Sequence, residues 1–478
     1  MKSKAVAFIV ILFALVYAGI SLVNHYNFRT YALDLGLYTN ALYDYAHFQL
    51  NFCETFLSQH VNLLADHFDL LLPLIAPFSF ILKSWTLLIF QWLFLVAGGY
   101  GFYRFFMLRF GDHRLSLFAM VFYFLQFGIF TALSYDYHSN VIAVALVPWL
   151  LLFLQQSKLL PAAMLLILIL IAKENMSLWM GFFLSGLIWI YRERKVRYFL
   201  AGSTLFSMIY FVVVAGIIMP RLSSDGRLSQ FSYSILGGDF SHACYGLFDH
   251  PSSLFKALFQ NHLGALGVEG VKEEWWIYFL LSGGIMLLFR PVLIWMLIPI
   301  FLQKMWSDKT QTWGVNDHYS IELVPVLTLG AVFFIQDLIK ERYRSIVMFL
   351  AGGLALFSTI SIMDRPVVFL RKEQVRIYQA EHWRSPVDKD AFSFIVSRIP
   401  DDAVVSVQSC LLPRLAWRDN CYAFPLVKNA RYILVASSGQ SFPLKAEAYQ
   451  NALDTLERSV FWEEQINQSG IHLFVKKK

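Results

Sequence analysis

The chain has 478 residues, of which 57% are hydrophobic and 15% are charged, and its formal net charge is +6. Soluble domains carry about 25% charged residues, so this composition excludes a soluble globular protein and indicates an integral membrane protein. The basic residues fall in short clusters between apolar runs, a pattern typical of topology determinants rather than of a nucleic-acid-binding surface. We therefore expect a lipid bilayer around the chain and no nucleic-acid partner.

The apolar runs predict about eleven transmembrane helices. A span needs about 20 apolar residues, and fewer where the helix is broken. The first run lacks a small-x-small cleavage site, so we interpret it as an uncleaved span. The stretch 68–82 is short and contains Pro73 and Pro77, so we expect it to be interfacial or re-entrant. The predicted spans are 4–24, 86–106, 115–132, 139–157, 159–172, 175–191, 198–220, 274–289, 291–305, 318–338 and 345–363.

The basic residues support this count. With a cytoplasmic N-terminus, every basic cluster in a short loop falls on the cytosolic side, as the positive-inside rule requires. Counting 68–82 as a full span would invert the topology downstream and break that pattern. The long polar loops 25–67, 221–273 and 306–317 are then external, as is the tail.

Two domains are predicted. Residues 1–363 form the transmembrane domain, with a large first external loop and interfacial helices at 25–85. Residues 364–478 form an external soluble α/β domain, in which 404–407, 431–436 and 471–475 have strand patterns and 445–459 has helical spacing. Cys410 and Cys421 lie close together in this tail and are candidates for a disulfide, although their spacing alone does not decide whether one forms.

Polar residues recur at the predicted outer ends of the spans. They are Asp34, Asp66 with His67, Asp136 with His138, Lys173 with Glu174, and Asp317 with His318. Single charges at span ends are often interfacial anchors or helix caps. Lys173 and Glu174 are harder to explain in that way, because adjacent charges in so short a loop lie close to membrane depth. The loop 306–317 is polar and expected to be solvated.

Acids, imidazoles and a lysine on one face suit two chemical tasks. A lysine and histidines bind an anionic phosphate, and a carboxylate activates a hydroxyl as a general base. Together these tasks describe group transfer from a lipid-linked phosphate donor. A divalent metal, Mg²⁺ or Mn²⁺, could bridge carboxylate and phosphate, although no ligand spacing demands one.

Several of these motifs resemble the bacterial membrane family DUF2079. They are DLGLYTNAL at 34–42, His67-Phe68 followed by Pro73 and Pro77, YDYH at 135–138, Lys173-Glu174, and His318-Tyr319 with Pro325. That family is similar to the GT-C glycosyltransferases, so the resemblance implies a GT-C-like helical bundle in the bacterial inner membrane, with the tail periplasmic or extracellular. It also implies a polyprenyl-phosphate-linked sugar as donor and an unknown lipid, glycan or protein as acceptor.

The resemblance also implies roles for the residues. GT-C enzymes use a carboxylate in the first external loop as catalytic base, and Asp34 occupies that place. We expect His67, His138, Lys173 and His318 to bind substrate phosphate. Asp66, Asp136 and Glu174 would orient these cations or hold a metal. Asn175 departs from the family, where Asp is commoner, and Asp34 stands alone rather than in an acidic pair.

The favoured function is an inverting transfer of a hexosyl or pentosyl group at the outer face. The alternative is a transporter or flippase for a lipid-linked or small anionic substrate, which would need polar residues at mid-span and on both faces. We see no internal repeat of the kind that many transporters have. A catalytically silent scaffold would leave Asp34 and Lys173-Glu174 unexplained.

Overall fold

The computed structural model describes residues 2–56, 61–237, 240, 243–364 and 376–477. By contacts the chain divides into two compact units. The first is Met1–Tyr17, Leu64–Leu71 and Gln91–Phe369, and the second is Ala18–Leu63, Leu72–Phe90 and Leu370–Lys478. Parts of the predicted first loop and of the predicted tail therefore lie in the same unit. Residues 365–375, next to the predicted domain boundary, lie outside the described residues.

The first unit is helical, and each predicted span falls on one helix or on consecutive helices. Helices suit apolar sequences in a bilayer because they satisfy their own backbone polar groups. Its main helices are His113–Phe124, Phe127–Tyr135, Ser139–Gln155, Leu159–Leu170, Glu174–Ile190, Arg194–Val213, Ala243–Asp249, Pro251–Ala257, Val271–Phe279, Pro291–Trp295, Ile298–Met305, Leu323–Leu338 and Glu341–Asp364. The helices Lys2–Tyr26 and Thr86–Phe110 contribute to both units.

Five helical stretches in the described part of the chain are long and apolar enough to cross a membrane: Lys4–Tyr26, Leu71–Phe110, His113–Tyr135, Arg194–Leu222 and Glu341–Met363. Ser139–Gln155, Leu159–Leu170 and Leu323–Leu338 are shorter apolar helices. These helices fit a multi-pass membrane protein, and the number of eleven spans stays a prediction. The segment predicted to be re-entrant forms the short helices Leu71–Ile75, Ala76–Phe78 and Ser79–Leu82.

The second unit contains a five-stranded sheet. Its strands are β1 Val405–Val407, β2 Cys421–Ala423, β3 Tyr432–Ala436, β4 Trp462–Gln468 and β5 Ile471–Lys476, in the order β2-β1-β3-β5-β4. β1 is parallel to β2 and β3, whereas β5 is antiparallel to β3 and β4. The helices Lys389–Val396 and Ala446–Glu457 accompany the sheet. The three predicted strands and the predicted helix match; β2, of three residues, and the largely exposed β4 were not predicted.

The core of the second unit combines the first loop with the tail. Phe28, Tyr31 and Ala32 are at most 3% exposed and belong to the same apolar cluster as Val405 and Val407 of β1. Burying one large apolar side chain contributes about 1.5–3 kcal/mol. The sheet is therefore stabilised in part by residues from more than 350 positions earlier in the chain.

Candidate functional site

The helix Glu174–Ile190 carries the first part of the site at its amino end. Glu174 lies in the first turn, where a carboxylate is favoured by the helix dipole. Its Oε1 is 3.3 Å from Nδ1 of His67, and its Oε2 accepts a hydrogen bond of 3.2 Å from the backbone N–H of Phe68. The side chain of Glu174 is 9% exposed and that of His67 is 20% exposed, so the pair is shielded from water. The structure thus brings together two predicted site residues that are 107 positions apart.

Lys173 precedes this helix in an extended conformation, with φ −164° and ψ 147°. It is only 9% exposed. Within the described ranges its ammonium forms no ion pair of 4.0 Å or less, although its charge acts on the adjacent Glu174. A shielded lysine with its three N–H donors uncommitted is suited to bind an anionic group.

A stacked pair of histidines forms the second part of the site. The ring centroids of His138 and His318 are 3.4 Å apart, with planes inclined by 22°, and both residues are 5% exposed. Gln91 holds the turn before His138, because its Nε2 donates to the Asp136 carbonyl (3.0 Å) and its Oε1 accepts from the His138 N–H (2.9 Å). Asp136, two residues before His138, is 1% exposed.

The histidine pair and Lys173 belong to one electrostatic cluster. His318 interacts electrostatically with His138, Lys173, His67 and Lys304. Three of the residues predicted to bind phosphate (His67, His138 and Lys173) therefore lie within charge range of the fourth, His318, in the first unit. Their assignment to phosphate binding stays a prediction.

Asp66 has a different environment from the one expected. Its Oδ1 accepts a hydrogen bond from Nε2 of Gln230, and Oε1 of Gln230 accepts a 2.6 Å hydrogen bond from Nζ of Lys309. Burial lowers the pKa of Lys309, and the Asp66 carboxylate opposes this shift. Lys309 also interacts electrostatically with Lys173. Lys309 and Gln230 were not predicted, since nothing in the two loops signals that they meet.

Three further polar residues of the cluster were not predicted. Glu322 and Asn140 are 4% and 2% exposed, and Nδ2 of Asn140 donates a 2.7 Å hydrogen bond to Oε1 of Glu322. Lys304 is 3% exposed and donates a 2.7 Å hydrogen bond to the Gly314 carbonyl. A signal was present in the sequence, because Lys304 and Glu322 are charges inside two predicted spans.

The expectation that the loop 306–317 is solvated was wrong. Trp313 is completely buried, Trp306 is 7% exposed and Asn316 is 8% exposed. The indole N–H of Trp313 donates to the Ser307 carbonyl (2.8 Å), and the ring packs in an apolar cluster with Val268 and Val271. The polar loop is thus largely buried, and the adjacent His318 is 5% exposed.

Asp34 lies in the second unit, on a π-helical turn that comprises Ala32–Gly36. Its side chain is half-buried, and its flanking residues Ala32 and Leu35 are completely buried. The backbone N–H of Ala32 donates to Oγ of Ser409 (3.2 Å). A Cβ on Gly36 would lie 2.6 Å from Cδ2 of Leu412, so only glycine fits here without displacement. The tail thus fixes the backbone that carries Asp34; π-helical turns are frequent at functional sites.

Cys410 and Cys421 are free and buried thiols in this structure, so the candidate disulfide is not formed. Burial raises the pKa of each thiol to about 12. Oγ1 of Thr55 lies 3.8 Å from Sγ of Cys421. Across the described residues, no group of three or more His, Cys, Asp or Glu side chains is arranged to hold a metal ion. Of the three carboxylates considered as ligands (Asp66, Asp136 and Glu174), Glu174 contacts His67 and Asp66 accepts a hydrogen bond from Gln230.

Comparison with protein families identifies the class. The model of the family described as "Predicted membrane protein (DUF2079)" matches residues 24–467, so the chain belongs to this family, as its motifs predicted. Comparison with the curated proteins finds no match.

Two solved structures match the chain at low similarity. Both are cryo-EM structures of the arabinofuranosyltransferase AftD from Mycobacteria, with 13% and 12% sequence identity and a TM-score of 0.46 each. The alignments cover 99% and 100% of this chain but 42% of the AftD chain. At that TM-score the similarity supports no statement about the activity of this chain.

Proposed function

We propose that this protein is a membrane glycosyltransferase that moves a hexosyl or pentosyl group from a polyprenyl-phosphate donor to an acceptor hydroxyl. The transfer takes place at the outer face of the bacterial inner membrane. The observation that carries the proposal is the shielded Lys173, which forms no ion pair in the described part of the chain and lies within charge range of His318. Such a group binds a phosphate that gains negative charge during the reaction.

In this mechanism Asp34 removes the proton from the acceptor hydroxyl. The acceptor oxygen then forms a bond to the anomeric carbon, while the bond between that carbon and the phosphate oxygen breaks. The phosphate leaves with the bonding electrons, and the configuration at the anomeric carbon inverts because attack and departure are in line. The proton remains on Asp34 until it passes to water.

Lys173 and the histidines stabilise the leaving phosphate. The charge on its bridging oxygen develops as the glycosidic bond breaks, so a preplaced ammonium lowers the barrier more than it strengthens ground-state binding. Glu174 orients His67 through the 3.3 Å contact, and Gln91 orients His138 through its backbone.

The test is a transfer assay with purified protein in liposomes. Radiolabelled polyprenyl-phosphate sugars serve as donors, total envelope lipids and glycans serve as acceptors, and the release of polyprenyl phosphate is measured. We expect Asp34→Asn to reduce the rate by about 100-fold or more, the usual contribution of a general base. Glu54→Gln is the matched control, since Glu54 is a first-loop carboxylate that is 38% exposed and pairs with Lys428.

Full activity of a folded Asp34→Asn protein would refute the base assignment. Absence of sugar release by the wild-type protein, together with movement of the intact donor across the liposome membrane, would favour the transporter alternative.

A further inference from the structure

We infer that Glu322, Lys304 and Asn140 form the subsite that recognises the sugar hydroxyls of the donor, and so set sugar specificity. This inference rests on the proposed function and adds residues to it. No sequence motif pointed to these three side chains; their burial and their hydrogen bonds do.

The charges of Lys304 and Glu322 are buried but not in contact. Each acts electrostatically on the other, yet their N and O atoms do not come within 4.0 Å as the structure describes them. Lys304 donates one side-chain hydrogen bond, to the Gly314 carbonyl, which leaves two of its N–H donors for another group. Buried opposite charges are costly unless they are paired or hydrogen-bonded. A polar ligand between them would supply those missing bonds.

Among the described residues, three further buried polar atoms also lack hydrogen bonds. Oδ1 of Asn140, Oδ1 of Asn316 and Nδ1 of His318 are each buried without a hydrogen-bond partner in the described ranges. Their residues are 2%, 8% and 5% exposed. Buried polar atoms in native proteins nearly always have partners, so a cluster of exceptions indicates a place for a hydrogen-bonding ligand.

The mixture of groups favours a sugar over a phosphate. A phosphate accepts hydrogen bonds and is repelled by a carboxylate such as Glu322. A sugar hydroxyl both donates and accepts, so it can donate to Glu322 and to the amide oxygen of Asn140 while it accepts from Lys304. The Lys304 ammonium also lies 5.4 Å from the ring centroid of Trp275 and 5.9 Å from that of Tyr319, and aromatic faces pack against the C–H faces of sugars.

The subsite is within charge range of the proposed phosphate-binding group. Lys173 interacts electrostatically with Glu322 as well as with His318. One donor can therefore place its phosphate at Lys173 and its sugar at Glu322. The turn that carries His318 and Glu322 packs closely on Gly128, where a Cβ would lie 2.5 Å from the Ser320 carbonyl oxygen.

The experiment compares binding of a lipid phosphate with and without a sugar. Citronellyl phosphate and its glucosyl, mannosyl and arabinosyl phosphodiesters are titrated into the full-length protein in detergent, and calorimetry gives each Kd. We expect the wild-type protein to bind one phosphodiester about tenfold or more tightly than citronellyl phosphate. Glu322→Gln should remove this preference, because hydrogen bonds to a charged group are worth that much, and should not weaken the binding of citronellyl phosphate, which the carboxylate repels.

Two controls accompany this variant. Glu341→Gln, at an exposed carboxylate of the same unit, should behave as the wild type. Lys173→Met should weaken binding of all four compounds. If Glu322→Gln fails a thermal-melting check, Asn140→Ala, which keeps both charges, provides the same comparison.

The outcomes separate the two proposals. Equal binding of all four compounds by the wild type, or an unchanged preference in Glu322→Gln, overturns the sugar subsite and leaves the phosphate-binding proposal standing. Failure of the wild type to bind any of the compounds overturns the proposed function itself.

Discussion

In the second unit the guanidinium of Arg29 donates to the carbonyl oxygens of Glu381, His382 and Arg384, at 2.6, 2.7 and 2.5 Å. In the first unit the Lys304 ammonium donates to a single carbonyl, that of Gly314. Both cations are at least 95% buried. Arg29 uses its N–H donors to connect two segments of the second unit, whereas Lys304 keeps N–H donors that a ligand can use.

Two buried histidines show the same contrast. His25 in the second unit is completely buried; its Nδ1 lies 2.8 Å from Oγ1 of Thr30 and its Nε2 lies 3.1 Å from Oγ of Ser84. His318 in the first unit is 5% exposed, and its Nδ1 lacks a partner in the described part of the chain. Satisfied polar networks fix a unique packing, whereas unsatisfied ones lower stability and are retained where function needs them.

The largest expected effect is on Arg29. Arg29→Met removes the three hydrogen bonds that the guanidinium donates to these carbonyls, so we expect the second unit to lose about 3 kcal/mol or more of stability. The measurement is the melting temperature in detergent together with the rate of proteolysis in the tail. Arg384→Met is the matched control, since the side chain of Arg384 is exposed and only its carbonyl takes part. Equal melting of both variants would contradict a structural role for Arg29.

The two buried histidines His25 and His318 give the sharpest contrast between the units. His25→Phe should destabilise the protein by about 2 kcal/mol, because the Thr30 and Ser84 hydroxyls lose their partner. His318→Phe keeps the ring stacking and removes an unmatched nitrogen, so its melting temperature should change little while binding of citronellyl phosphate weakens. The melting temperature and the Kd of both variants test this. A strongly destabilised His318→Phe protein with intact binding would remove the contrast between the units.

Gly36 tests how rigidly the tail holds the turn that carries Asp34. Gly36→Ala places a methyl group against Leu412, and such overpacking costs about 1–3 kcal/mol. Transfer activity should fall together with the melting temperature. Gly202→Ala is the control, because Gly202 lies in a helix with nothing within 4 Å of the added Cβ. It should be neutral or slightly stabilising. Wild-type activity and melting in Gly36→Ala would mean that the turn is free to adjust.

The last prediction is a pH dependence that arises from Asp44. Burial raises the pKa of this carboxyl to about 7; the hydrogen bond from Asn51 opposes the shift, the Asp419 charge adds to it and the His47 charge opposes it. Because the folded pKa exceeds the unfolded value near 4, the contribution of Asp44 to stability is fully present below about pH 4 and is lost as the pH rises through about 7. The slope is at most about 1.4 kcal/mol per pH unit. Melting temperatures between pH 4 and 8 measure this pH dependence. Asp44→Asn should flatten the plot of melting temperature against pH. An equally steep plot for that variant would rule out Asp44 as the source of the pH dependence.

Much of the fold could be predicted because it depends on local pattern. The apolar runs gave the positions of the helices, and the alternating tail segments gave three strands and a helix. The exposed strand β4 carries too few buried residues to produce a pattern, whereas β2 is buried but, at three residues, is too short to be recognised. The joint core of Phe28 and Tyr31 with β1 was not predictable, because long-range packing leaves no periodic signal in either segment.

The sequence by itself determined the membrane class, the helical segments, the DUF2079 family and the identity of most candidate residues, because composition, period and motif order are properties of the linear chain. Only the tertiary structure decided that His67 meets Glu174, that His138 stacks on His318, and that Lys304 and Glu322 are buried close to each other without touching. Those facts depend on how helices distant in sequence pack. Whether a buried polar side chain finds a hydrogen-bond partner depends on that packing and not on the local sequence.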